Sequence, residues 1–445
     1  MPRTERRVVI TGLGLVTPLG IGADPLWASL NGGRGAVDTV RAFPVDGLPN
    51  NLGGEVPDFD DKAMKALAIP RLKKSIGKSL KYMARDIQLS VAGAQLAMVD
   101  AGLADGGVDP TRIGVDLGAG LISTELDELA PAIDAGYQSN GTFDYNAYAR
   151  EGIAKITPIW LLKYLPNMLA CHISILLDCQ GPSNTITEAE AASNVAIGEA
   201  TRIISRGRAD VMITGGADSK IHPLSMVRMS LLDQMSRWRG NPSGACRPFD
   251  VARDGWVPGE GAGILILEER EHALARGAKI YGEILGSGSG CDASPVGGLD
   301  PEGVGTEIAI RSALRDAGMT PDQLGHLNAH GAASVVSDLA EARAIGRVFG
   351  EGSGQGGVPV TALKGYMGNI VSGCGAVELI SSLLGVNRGL IPATLNCDDP
   401  DPALGPIDVV RGEARATDNP TFLNTNLTRH GQAAAVVVRG NPGIV

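Results

Sequence analysis

The chain has 445 residues, 44% hydrophobic and 20% charged, which is more than one ordinary domain holds. Its net charge of −10 excludes nucleic-acid binding over a broad surface, and its six cysteines include no CxxC pair that would indicate a zinc site. The scattered cysteines also suggest no disulfide framework, so we expect a reduced, cytoplasmic setting. No run of about 18 apolar residues indicates a membrane span.

Short apolar runs and helical patterns alternate along the first half of the chain. Residues 8–10 predict a buried strand that ends in a glycine turn at 11–14, and Asp24 is the expected cap of the next helix. Residues 33–70 predict an irregular excursion, and residues 120–170 a helical insertion with loops. The other predicted elements here are strands at 114–118, 210–216 and 263–268 and helices at 24–30, 73–103 and 191–205.

The second half restarts the same rhythm of strands and helices. Its predicted strands are 280–285, 326–331 and 433–439, and its predicted helices are 307–317, 338–349 and 376–384. Alternation of this kind favours mostly parallel sheets with helices on both faces. Two similar halves indicate a duplicated α/β unit, which we divide into residues 1–270 and 271–445.

Eight short motifs follow one another along nearly the whole chain. They are RVVITGLG (7–14), GPS (181–183), AIGEA (196–200), RPFD (247–250), RDG (253–255), GEGAG (259–263), NAHG (328–331) and GCGAVE (373–378). In this order and spacing, the chain resembles the β-ketoacyl-acyl-carrier-protein synthases, of the ketosynthase II type. The resemblance implies a thiolase-like fold with two five-stranded sheets in five layers, assembled as a dimer.

The resemblance also places the catalytic nucleophile at position 190. In the family, a Cys seven residues after Gly-Pro-Ser takes the acyl chain from a carrier-protein thioester, helped by a helix N-terminus that lowers its pKa. Counting from Ser183 gives Glu190, and no Cys lies between residues 180 and 245. A carboxylate can act as a base or as a much weaker nucleophile, so condensation through an acyl-enzyme is not expected. A charged Glu190 needs a partner in the pocket, and the candidates are His330, Lys364 and Arg429.

The rest of the family's catalytic set is partly retained. The first family His matches His330, the ordering Lys matches Lys364, and the second His is replaced by Asn369. Asn369 can still donate one hydrogen bond to a thioester oxygen. Two acidic positions of the family match Asp338 and Glu341. The Cys-His-His triad of the family therefore becomes Glu190, His330 and Asn369.

A third departure lies near the C-terminus of the sequence. The family has a Gly-Phe-Gly-Gly loop that supplies an oxyanion amide and a gating Phe. Here the Phe position is Thr428, and Leu427, Arg429 and His430 flank it. Because glycine allows a close backbone approach to a ligand, its loss predicts a rebuilt mouth of the acyl pocket.

A basic cluster stands out on this acidic chain. It consists of Arg71, Lys73, Lys74, Lys78, Lys81 and Arg85. Such a cluster is typical of a docking face for an acidic acyl carrier protein, although a solvated helix face explains it equally well. The resemblance implies substrates carried on the phosphopantetheine of that carrier, with no separate cofactor and no metal.

Three functions remain open from the sequence. The first is a chain-length-factor-like partner that pairs with an intact ketosynthase, because such homologues also lack the Cys. The second is an enzyme that acts on carrier-bound acyl groups, such as a malonyl-carrier decarboxylase. The third is a non-catalytic homodimer that binds acyl carrier protein or lipid as a scaffold.

Overall fold

The computed structural model describes residues 6–232, 235–295, 298–350 and 357–444. The strands up to the middle of the chain are β1 (Val8–Thr17), β2 (Gly20–Ile21), β3 (Val37–Thr39), β4 (Leu52–Gly54), β5 (Ile113–Ala119), β6 (Ser183–Ile186), β7 (Val211–Ser219) and β8 (Glu260–Glu269). Those that follow are β9 (Gly282–Cys291), β10 (His326–Asn328), β11 (Pro359–Thr361), β12 (Leu390–Ile391), β13 (Asp408–Val409), β14 (Arg415–Ala416), β15 (Thr421–Leu427) and β16 (Gln432–Gly440).

The helices are distributed between the strands in both halves. Those before β9 are α1 (Ala23–Asn31), α2 (Asp61–Ala66), α3 (Lys73–Ser79), α4 (Arg85–Asp100), α5 (Leu126–Asp134), α6 (Tyr145–Ala147), α7 (Met168–Leu177), α8 (Ala192–Ser205), α9 (Pro223–Leu232) and α10 (Arg270–Ala275). Those after it are α11 (Val304–Asp316), α12 (Val335–Phe349), α13 (Lys364–Met367) and α14 (Cys374–Val386). Within the described ranges, no helix is long and apolar enough to cross a membrane.

Two sheets meet edge to edge at the centre of the molecule. The strand order is β13-β11-β10-β15-β16-β9 on one side and β1-β8-β7-β5-β6 on the other. The two sides join where Val8–Ile10 of β1 pairs with Gly282–Ile284 of β9. Because this pairing is only three residues long, the two sheets stay distinct, and helices can cover both faces of each.

The helices and sheets stack in five layers, as the family resemblance implied. α4 and α7 cover the outer face of the first sheet, and α11 and α12 cover that of the second. α8 and α14 lie between the two sheets and contact each other. The middle layer therefore brings the start of α8, from the first half, against residues that precede α14, from the second half.

The expectation of mostly parallel sheets is wrong. β5 pairs in parallel with β6 and β7, and β10 with β11 and β15. However, β8 runs antiparallel to both β1 and β7, and β16 runs antiparallel to β9 and β15. Alternating strands and helices predict a helical crossover after every strand, whereas β15 and β16 are joined by a short hairpin loop.

Two local expectations for the N-terminal segment are also wrong. β1 continues through Gly12 and Gly14 to Thr17 without a turn. A Cβ atom at Gly14 would overlap the backbone of Gly93 on α4, so the glycine serves close helix packing. The cap of α1 is Gly22, and Asp24 lies in the first turn.

The remaining differences concern the ends of elements. The helix predicted over 73–103 is broken, because Met83 has an extended backbone between α3 and α4. Residues 33–70 contain the hairpin of β3 and β4 as well as α2. The strands predicted over 210–216 and 280–285 are longer in the structure, since β7 continues to Ser219 and β9 to Cys291.

Candidate active site

Glu190 lies in a tight turn between β6 and α8. The preceding residue, Ala189, has a φ of 42°, a left-handed conformation that is unusual for a residue with a side chain. This turn presents Glu190 at the N-terminal end of α8, where the helix dipole favours a negative charge. The half-buried side chain lines a cavity of about 400 Å³ together with His330, Asn369 and Arg429.

Asn369 holds the carboxylate of Glu190. Its Nδ2 donates to Glu190 Oε1 at 3.2 Å. The orientation of the amide is fixed from the other side, because Asn369 Oδ1 accepts from Val371 N at 2.9 Å and from Cys374 Sγ at 3.1 Å. The donor face of the amide must therefore point at Glu190. The thiol of Cys374 therefore helps to hold this amide.

His330 is a neutral ring with one nitrogen already engaged. Its Nδ1 lies 3.1 Å from Lys364 Nζ and 3.3 Å from Asn426 Nδ2. Burial and the nearby charge of Lys364 hold the pKa of His330 well below its usual value. Since an ammonium group can only donate, Nδ1 is the acceptor and the proton lies on Nε2. His330 therefore faces the cavity as a hydrogen-bond donor.

Lys364 and Glu378 form a buried ion pair behind His330. Lys364 Nζ donates to Glu378 Oε1 at 2.7 Å and to the carbonyl oxygen of His330 at 2.7 Å. Burial acts to lower the pKa of Lys364, but the nearby negative charge of Glu378 raises it above the ordinary value. Lys364 is one of the three partners expected for Glu190, but it is paired with Glu378 instead.

A chain of three asparagines links α8 to this ion pair. Asn424 Nδ2 donates to Asn194 Oδ1 at 3.1 Å, and Asn194 Nδ2 donates to Asn426 Oδ1 at 2.8 Å. Asn426 Nδ2 then donates to Glu378 Oε2 at 2.7 Å. These residues are not predicted from the sequence. Nothing local marks them, because α8 and β15 both contain other polar side chains, such as Ser193 and Thr425.

Asp338 and Glu341 support the backbone around His330. Glu341 accepts hydrogen bonds from the backbone N–H groups of His330, at 2.7 Å, and Gly331, at 2.9 Å. Asp338 accepts from Phe249 N at 2.9 Å. Burial raises the pKa of Glu341 to about 7 and that of Asp338 to about 6. Glu341 thus holds the loop that presents His330, Asp338 holds the backbone at Phe249, and neither carboxyl group lines the cavity.

Comparison with known proteins decides the family. The β-ketoacyl synthase N-terminal domain model matches residues 5–273, and the C-terminal domain model matches residues 281–398. The chain belongs to the β-ketoacyl synthase family. A 3-oxoacyl-[acyl-carrier-protein] synthase 2 from Vibrio cholerae is 33% identical over 423 residues, which cover 95% of this chain and 96% of the relative.

Two solved structures of ketosynthases resemble this chain over almost its whole length. The ishigamide ketosynthase/chain length factor has a TM-score of 0.83 at 29% identity, over 98% of this chain and 100% of the other. A type II polyketide acyl-carrier protein in complex with its ketosynthase, bound to the hexaketide, has a TM-score of 0.82 at 27% identity, again over 98% and 100%. The thiolase-like fold is therefore shown.

The loop that replaces the family's Gly-Phe-Gly-Gly segment is a hairpin turn between β15 and β16. Thr428 is buried and its hydroxyl bonds Gln432 Oε1 at 2.6 Å. Leu427 and Arg429 line the cavity, while His430 accepts a hydrogen bond from the Arg429 side chain at 3.1 Å. In this ketosynthase homologue an arginine thus stands at the cavity wall, on the loop where the family has glycines.

The basic cluster divides into two parts in the structure. Arg71, Lys73, Lys74, Lys78 and Lys81 are exposed around α3. Arg85 leaves this surface, since it forms an ion pair with the buried Glu260 at 2.6 Å. The role of the exposed five in carrier docking stays a prediction.

The groups in the cavity favour carbonyl polarisation and proton transfer over acyl transfer. His330 Nε2–H and the Asn369 amide are hydrogen-bond donors of the kind that polarise a carbonyl oxygen. The carboxylate at position 190 is suited to accept a proton and unsuited to hold a thioester-derived acyl group. None of the described cysteines lines the cavity, and burial raises the pKa of Cys374, whose thiol bonds Asn369.

Proposed function

We propose that this ketosynthase homologue is a chain-length-factor-like subunit that works beside an intact ketosynthase. The observation that carries the proposal is Glu190 in the nucleophile turn, held by Asn369. Together the two residues occupy the positions of the family's Cys and second His, so acyl transfer to this chain is lost. The family scaffold around them is retained, which suits a subunit that shapes a pocket for a partner.

An open sheet edge supports the pairing with a partner. β6 ends the first sheet and pairs there with β5. Ser183 and Asn184 on this strand are exposed, and such an edge is a template for a strand of another chain. Several large apolar side chains of the neighbouring insertion are also exposed: Leu121, Tyr137, Tyr145, Ile153 and Leu161. A second subunit would cover this combination of edge and apolar surface.

The exposed cluster around α3 supports contact with an acyl carrier protein. Five cations lie on one face of a chain whose net charge is −10. Opposite charge on a carrier would speed the encounter with this face. A ketosynthase of the same fold has been solved in complex with its acyl-carrier protein.

The test mixes the purified chain with acyl-carrier and malonyl-carrier proteins, with and without a candidate intact ketosynthase, and follows products by intact mass spectrometry. We expect no 3-oxoacyl product from this chain alone and a changed product length when it joins the ketosynthase. Thr185→Pro should abolish the change, because the β5 pairing pattern leaves the backbone N–H of Thr185 pointing away from β5. A 3-oxoacyl product from this chain alone would contradict the proposal, as would unchanged products with the partner.

A second candidate is decarboxylation of a malonyl thioester on the carrier. His330 Nε2–H and Asn369 favour it, because both are donors in one cavity and could stabilise the enolate that forms when carbon dioxide leaves. Carbon dioxide release by the wild-type chain, lost in His330→Ala, would support this activity. Equal release by both proteins would rule it out, and binding of the carrier without any turnover would leave the scaffold function.

A further inference from the structure

The cavity pairs a carboxylate with a neutral hydrogen-bond donor, an arrangement typical of proton transfer at carbon. Glu190 and His330 both line it, beside apolar side chains such as Leu232, Trp256 and Leu427 and polar ones such as Ser334 and Ser337. A carboxylate base and an oxyanion donor that face one cavity are the two groups needed to remove a proton next to a carbonyl.

The donor is fixed in one tautomer by its surroundings. Lys364 and Asn426 both aim donor groups at Nδ1 of His330, so its proton stays on Nε2. Asn194 in turn orients the Asn426 amide, and Glu378 accepts from it. The ring can therefore donate to a carbonyl oxygen throughout a reaction without changing its own protonation.

The base is held in place from the opposite side. Asn369 donates to Glu190 Oε1, and Val371 N and Cys374 fix the orientation of that amide. The N-terminal end of α8 favours the ionised form of Glu190. Since the side chain is half-buried, a proton that it accepts can still exchange with water.

We propose that this chain enolises 3-oxoacyl thioesters, with Glu190 as the base and His330 as the oxyanion donor. The C2–H bond breaks and its proton passes to the Glu190 carboxylate. The electron pair forms the C1–C2 double bond of the enolate, whose negative thioester oxygen accepts the hydrogen bond from His330 Nε2–H. Return of a proton from Glu190 to C2 restores the substrate, so the step is redox-neutral. The activity does not depend on a partner subunit.

A 3-oxoacyl group suits this base because its C2 hydrogens lie between two carbonyls and are unusually acidic. Glu190 lines a cavity that also presents the apolar side chains of Leu232, Leu299 and Leu427, which can contact an acyl chain. The phosphopantetheine arm of a carrier would deliver the thioester, so the substrate class is a carrier-bound or pantetheine-bound 3-oxoacyl thioester.

The experiment measures deuterium wash-in at C2 of 3-oxobutanoyl-pantetheine in deuterated buffer by NMR, with the buffer-only rate subtracted. The wild-type chain alone should accelerate wash-in, and Glu190→Gln should lower the acceleration by about 100-fold or more. Glu188→Gln is the matched control, since Glu188 is exposed two residues earlier and should leave the rate unchanged. His330→Ala should also lower it, and a thermal melt of each variant checks folding.

Each other outcome overturns the assignment. Wash-in by wild type that equals the buffer rate means that the cavity does not enolise this substrate class. Wash-in that persists in Glu190→Gln and is lost in His330→Ala means that another group is the base. A chain without wash-in that still changes the products of an intact ketosynthase would overturn this inference alone and leave the chain-length role in place.

Discussion

At the scale of single residues, the most demanding interaction is the ion pair of Lys364 and Glu378. Both side chains are almost fully buried, and Lys364 also bonds the ring and the backbone of His330. Two charges in the interior are tolerated only when each compensates the other and further hydrogen bonds satisfy them. Asn426 supplies one of those bonds to Glu378. The pair therefore fixes the position of His330. Loss of either partner should lower the free energy of unfolding strongly.

Removal of one partner should be worse than removal of both. We expect Lys364→Met to lower the free energy of unfolding by about 3–5 kcal/mol, because Glu378 is left buried without its cation. Lys364→Met combined with Glu378→Gln should recover part of that loss. Denaturant unfolding of the two single variants and the double variant gives the coupling energy. Additive losses would show that the pair does not act as a unit.

At the scale of elements, β1 and α4 are packed backbone to backbone. The contact is possible because Gly14 on the strand and Gly93 on the helix carry no side chain. The glycine motif that predicts a turn in the sequence thus serves close packing against a neighbouring helix. This contact fixes the first sheet against α4, and α8 packs on the same sheet.

A methyl group at this contact should be costly. Gly14→Ala places a Cβ atom into the backbone of α4, so we expect a loss of about 1–3 kcal/mol or more in unfolding free energy. Gly346→Ala is the control, because this helical glycine on α12 has open space around it. There the substitution should stabilise by about 0.5–1 kcal/mol through the higher helix propensity of Ala. Equal effects of the two changes in thermal or denaturant unfolding would contradict the packing argument.

At the scale of the whole molecule, buried carboxyl groups couple stability to pH. Burial, followed by the nearby charge of Asp218, raises the pKa of Asp86 from 3.8 to about 8. Lys220 and the backbone N–H of Ser219 partly offset this rise. Burial likewise raises the pKa of Asp116 to about 7. Between pH 4 and 8 these two groups keep protons in the folded state that they release in the unfolded state, so their contribution to the free energy of unfolding falls as pH rises.

Asp86→Asn should flatten this decline. The variant cannot lose a proton, so its slope should be less steep by up to about 1.4 kcal/mol per pH unit between pH 5 and 8. Above pH 8 it should be more stable than the wild type, whereas Asp105→Asn, at an exposed position, should follow the wild type. Denaturant unfolding at a series of pH values measures the slopes. An unchanged slope in Asp86→Asn would show that Asp86 does not carry the effect.

The sequence by itself determined the family and the fold class, and it predicts that Glu190 and Asn369 stand at the positions of catalytic residues. Motif spacing suffices for this, because residues near a shared motif keep their register to it. The tertiary structure alone decided that Asn369 holds Glu190, across 179 residues, and that Asn194 orients Asn426, across 232 residues. It also decided which strands run antiparallel and that Gly14 packs against the backbone of α4. These features depend on which distant segments meet and in which direction, and local patterns of hydrophobicity and propensity carry no information about either.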